Sequence, residues 1–234
     1  MQIQAHQPET SRFAFDPAEM ERLIRGYDKP GRFKHPSRRT LMDALEVTSV
    51  SRVPQGRLSR QDWVELLGSV IADGTAIHTT TTETAIFSNI SLAAGYFYQG
   101  RVMRIRSFGK LSTTGTPTIT FALRLTNASG TLLATTEAIT NGSGVTNAIW
   151  SYEIYVVCRS VGSSGSLLVF GDVIVNTSAT AAVVGAFGVS GFDAPAVVTV
   201  DTTAAIDLCQ TADWSANSAS NTLTGMFSTP ESLN

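Results

Sequence analysis

Thr118-Ile-Thr-Phe-Ala-Leu-Arg-Leu-Thr126 decides the fold class of this chain. Ile119, Phe121, Leu123 and Leu125 fall on one side of an extended backbone, with Thr118, Thr120, Ala122, Arg124 and Thr126 on the other. That two-residue period belongs to a strand with one face in a core. Two neighbouring stretches read the same way. Ile149–Arg159 puts Trp150, Tyr152, Ile154, Val156 and Cys158 on one face and Ser151, Glu153, Tyr155 and Arg159 on the other. Arg101–Leu111 turns Met103, Ile105 and Leu111 inward and Arg104 and Arg106 outward.

Working outward, strands are expected at 83–92, 132–138, 166–176, 196–201, 206–212 and 221–228. Turn residues punctuate them: Thr114-Gly-Thr-Pro, Ser129-Gly, Asn141-Gly-Ser-Gly and Gly162-Ser-Ser-Gly. Eight or nine short strands with no helical stretch among them predict a jelly roll or related Greek-key β-sandwich over residues 76–234.

The first 75 residues differ in kind. Of the 36 charged residues, only 15 follow Thr75. Residues 1–15 lack periodicity. Asp16, Pro17 and Glu19 mark a helix start, with Met20, Leu23 and Ile24 as its apolar stripe. A second short helix is expected over 37–47, presenting Leu41, Met42 and Leu45. A third is capped by Ser59 and carries Trp63, Leu66 and Leu67. None is long enough to stand alone. Between the first two lies Arg25-Gly-Tyr-Asp-Lys-Pro-Gly-Arg-Phe-Lys-His-Pro-Ser-Arg-Arg39, in which Arg25, Lys29, Arg32, Lys34, Arg38 and Arg39 face a single Asp28. This basic loop is a candidate for docking on an acidic protein surface, with Leu23, Leu41, Leu45, Trp63 and Leu66 as apolar anchors. The expected organisation is a short helical N-terminal arm, residues 1–75, followed by the sandwich.

Several chemistries are excluded. The three histidines, His6, His35 and His78, all precede the strands, so a metal-holding histidine cluster inside the barrel is not expected. Without a β-domain histidine or a G-x-S-x-G turn there is no serine triad, and no phosphate-binding glycine loop occurs. Glu137, Glu153, Asp172, Asp193, Asp201, Asp207 and Asp213 are candidate glycosidase carboxylates, but no spacing singles out a pair. Cys158 and Cys209 sit in strands and are expected buried and reduced. The net charge of −2 argues against a nucleic-acid partner. The longest apolar window, 181–189, is too short to cross a membrane. The N-terminus shows no secretory signal, which predicts folding in a cytoplasm. No enzyme activity and no cofactor are expected.

Two features are left for binding. Tyr96, Phe97 and Tyr98 form an aromatic run suited to a subunit interface or a glycan platform. The outward Arg104, Arg106 and Arg124 would make inter-subunit pairs if they face Glu153 or Asp172 of a neighbouring copy, and contribute little if exposed to water.

The stretch Arg104-Ile-Arg-Ser-Phe-Gly-Lys-Leu-Ser-Thr-Thr-Gly-Thr-Pro-Thr-Ile-Thr-Phe-Ala-Leu-Arg-Leu125 resembles a β-domain of tailed-bacteriophage virion proteins. So do Val198-Thr-Val-Asp-Thr-Thr-Ala-Ala and Trp214-Ser-Ala-Asn-Ser-Ala-Ser-Asn-Thr-Leu-Thr. The resemblance spans residues 80–229 and is one of pattern. It implies a jelly roll assembled as a homotrimer on a phage particle: a capsid decoration (cement) protein, a head fibre or a tail appendage. On the first of these, the arm would grip the major capsid protein.

Overall fold

The computed structural model describes residues 64–189 and 193–233. The helices expected over 16–26 and 37–47, the basic loop from Arg25 to Arg39, and Leu23, Leu41, Leu45 and Trp63 lie outside them.

Two antiparallel sheets face each other. The larger is ordered β1 (Glu65–Leu66), β13 (Thr222–Ser232), β4 (Val102–Ser112), β8 (Ala148–Ser160), β9 (Gly165–Asn176) and β10 (Ala182–Phe187), with β11 (Val197–Val200) also on β9. The smaller is ordered β2 (Thr84–Ala85), β12 (Ile206–Trp214), β5 (Thr118–Leu125) and β6 (Leu132–Thr135). Two short strands extend it, with β3 (Ile90–Leu92) on β12 and β7 (Ile139–Thr140) on β5. The chain crosses between sheets at β4–β5 and β7–β8, and again on either side of β12. β8, β9 and β10 stay together as a meander in one sheet.

The alternation read in β4 and β8 is present, and in β5 it holds from Thr118 to Phe121 before Ala122, read as outward, is buried and Leu125, read as inward, is half-buried. The inward members make the core. Met103, Ile105, Ile119, Phe121, Leu123, Trp150 and Ile154 are fully enclosed. Phe121, Trp150 and Tyr152 pack as an aromatic cluster with centroids 5.3–5.9 Å apart, clamping the two sheets together. A polar island sits beside it. Ser107 Oγ donates to Gln210 Oε1 at 2.6 Å, Gln210 Nε2 donates to Ser228 Oγ at 3.1 Å, and the Tyr152 hydroxyl donates to Gln210 Oε1. All four residues are buried, and the network meets the demand that an enclosed polar group find a partner.

Three expectations are corrected. The helix expected to carry Trp63, Leu66 and Leu67 does not include its described part. Glu65 and Leu66 form β1, in register with Ser232 and Glu231, and Leu66 is exposed. From there the chain stays beside β13, with amides of Leu67, Val70, Gly74 and Ile77 donating to Pro230, Ser228, Gly225 and Leu223 at 2.8–2.9 Å. An uncovered β13 would leave a row of backbone groups unpaired, and covering it outweighs a weak helical preference. The change in charge at Thr75 therefore falls inside a segment already attached to the sandwich. Second, the single strand expected over 83–92 is two pieces, because consecutive Ile86 and Phe87 are both buried and break the alternation. Third, the apolar window at 181–189 contains an unexpected strand, β10.

Candidate functional site

Tyr96, Phe97 and Tyr98 are packed against one another and against Arg101. Phe97 is core and meets Tyr96 edge-on at 5.3 Å. The Arg101 guanidinium lies 3.8 Å from the Tyr96 ring centre and 5.1 Å from that of Tyr98, and donates to the Tyr96 carbonyl at 2.6 Å. Burial pushes the Tyr96 hydroxyl up from its ordinary range. Arg101 lies against the Tyr96 and Tyr98 rings, both of which are half-buried.

The outward arginines find partners within the chain. Arg104 holds Glu231 through Nε at 2.9 Å and Nη2 at 2.6 Å. Arg124 makes a two-pronged contact to Glu83 at 2.6 and 2.7 Å. Arg106 stands 3.4 Å from Glu153. On the smaller sheet the Arg124–Glu83 pair sits near Asp213, whose carboxyl is pushed up first by burial and then by the charge of Glu83.

Sheet pairing brings together residues that the sequence keeps far apart. On the outer face of the larger sheet, Glu231, Arg104, Tyr155 and Phe170 form one row across β13, β4, β8 and β9. Thr229, Arg106, Glu153 and Asp172 form the next, and Phe227, Phe108, Ser151 and Ile174 the third. Tyr155 stacks on Phe170 at 5.5 Å and Phe108 on Phe227 at 5.2 Å. A groove of about 650 Å³ runs over the second and third rows. Of the candidate carboxylates, Glu153 and Asp172 stand directly opposite each other here. Glu153 accepts from the Tyr155 hydroxyl and faces Arg106. No sequence spacing carries this site, since its residues come from four strands between positions 104 and 231.

Among the described residues no group of three or more His, Cys, Asp or Glu is placed to hold a metal. Cys158 and Cys209 are buried, unpaired thiols, each pushed up by burial. No helix among the described residues is long and apolar enough to cross a membrane.

No family model and no curated protein sequence matches the chain. Among solved structures it is similar to the CBM2 module of Lactobacillus casei BL23 phage J-1 evolved Dit, at 16% identity and a TM-score of 0.23. The match covers 57% of this chain and 63% of that one, a likeness too slight to carry a fold or a function across.

Proposed function

We propose that this chain is a non-enzymatic structural protein of a tailed-phage virion: a capsid decoration (cement) protein of jelly-roll type. It assembles as a homotrimer on the particle surface, and its N-terminal residues bind the outer face of the major capsid protein and so stabilise the head. The resemblance of residues 104–125 and 198–224 to virion β-domains motivates the class. The observation that carries the role is the fastening of residues 64–77 along β13. The charged segment preceding Val64 is then joined to the sandwich through backbone hydrogen bonds to β13. Arg25, Lys29, Arg32, Lys34, Arg38 and Arg39 supply the electrostatic contact, and three tethered copies multiply a weak individual affinity. Counting copies per purified particle by quantitative mass spectrometry tests the proposal. A cement occupies a lattice in numbers comparable to the shell protein; a handful of copies would sink this reading.

The second reading is a head- or tail-fibre appendage that binds a receptor glycan. It is favoured by the groove on the larger sheet. Immunogold labelling of the particle at the tail tip and not the head would favour it.

A further inference from the structure

We infer that the groove over Ser151 is a saccharide-binding site specific for neutral or N-acetylated oligosaccharides, a function additional to attachment and independent of it. Ser151 lies in register between Phe108 on β4 and Ile174 on β9, and both large side chains are more than 40% exposed. Phe227 stacks on one side of Phe108, at 5.2 Å with planes 29° apart. Towards the other side stands Ser151, which is too short to cover the ring. The result is a trough with an aromatic wall, an aliphatic wall and a small floor.

Alongside it run Thr229, Arg106, Glu153 and Asp172, a row of hydrogen-bonding groups within the same groove. Like charges directly opposite on neighbouring strands are unfavourable, yet Glu153 and Asp172 are so placed. A wholly apolar ligand would strip water from that row without replacing it. A polyanion meets Glu153, Asp172 and Glu231 against only Arg104 and Arg106. A second copy cannot fill the groove with this same concave face, because two hollows leave a void. A contact from a different face of a neighbouring copy would show as a change of solution mass. What fits is a ring whose C–H face lies against the electron-rich face of Phe108 and whose hydroxyls donate to the carboxylates and accept from Arg106. The volume of about 650 Å³ lies within the usual range for small-ligand sites.

The test applies the full-length protein to a printed array of neutral, N-acetylated and uronate-bearing oligosaccharides, with hits measured by calorimetry. Binding to neutral or N-acetylated members and none to uronates is expected. Ser151→Leu, which fills the trough, should weaken binding by at least about tenfold, and Phe108→Ala by roughly tenfold. Asp172→Asn should weaken it less. The Tm and solution mass of each variant should match the parent, and copy number on the particle should be unchanged by Ser151→Leu. Three results overturn the inference: no hit on the array, affinity unaffected by Ser151→Leu, or a change of solution mass in that variant. The last would make the groove a contact between copies. Saccharide binding as expected, by a protein found at only a handful of copies per particle, would instead count against the cement reading alone.

Discussion

Gly109 shows how one side chain too many would be felt. It lies in β4 opposite Trp150, and an added Cβ would sit 2.0 Å from the Thr224 carbonyl oxygen and 2.7 Å from Trp150 Cζ2. Neither backbone nor a fully enclosed indole yields easily, so Gly109→Ala should cost about 1–3 kcal/mol, read as a lower denaturation midpoint at unchanged slope. Tyr152 gives a prediction in pH. Burial foremost raises its hydroxyl pKa well above the ordinary value of 10.0. Below pH 10 the tyrosine keeps its proton in both the folded and the unfolded chain. Above it the unfolded chain loses the proton first, so stability falls by about 1.4 kcal/mol per pH unit from this group. Tyr152→Phe should flatten that alkaline slope in unfolding titrations between pH 10 and 12. An unchanged slope would mean Tyr152 is not held neutral. The core position of Tyr152 was legible from the period of β8. Its partners Ser107, Gln210 and Ser228 were not, because three polar residues on three distant strands leave no local pattern.

At the level of elements, legibility followed alternation. β4, β8 and β9 bury one face and their two-residue period marks them, as it does the first half of β5, whereas β12 is buried on both faces from Leu208 to Ala212. β10 escapes because Ala182, Val183 and Val184 are all exposed and Gly185 interrupts the run, so no period separates inside from outside. β1 escapes for a different reason: a two-residue strand on an edge is set by what lies beside it, and β13 is more than 150 residues away. The groove was half legible. Arg106, Ser151 and Glu153 were read on the outward faces of their strands, but Phe108, Asp172 and Phe227 were given no face, and which strands are neighbours is a property of topology. The attachment of residues 64–77 yields a sharp deletion test. Removing residues 1–63 should leave the unfolding midpoint of the sandwich nearly unchanged. Removing 1–77 strips the cover from β13 and takes Ile77 out of the core, costing about 2–5 kcal/mol or causing aggregation through the bare edge. Equal midpoints for the two truncations would show that the pairing contributes nothing.

For the whole molecule, the uneven distribution of charge predicts two opposite responses to salt. The ion pairs of the sandwich, such as Arg106–Glu153 and Lys110–Asp73, lie largely at the surface and contribute little against a core built from two apolar sheet faces. Raising sodium chloride from 0.05 M to 1 M shortens the screening length from above 10 Å to about 3 Å, yet should shift the unfolding midpoint of the sandwich only slightly, and upward if at all. Attachment through Arg25, Lys29, Arg32, Lys34, Arg38 and Arg39 would behave the other way. Six cations against one Asp28 form a long-range contact that the same salt screens, and avidity through three arms steepens the loss. Binding of the full-length protein to undecorated heads, measured by co-sedimentation across that salt series, should therefore collapse while the fold persists. Attachment that survives high salt but disappears on deleting residues 1–63 would move the grip from the basic loop to the apolar residues Leu23, Leu41, Leu45 and Trp63. Attachment that survives both treatments would place it on the sandwich itself, and the outer face of the larger sheet would be the first surface to mutate.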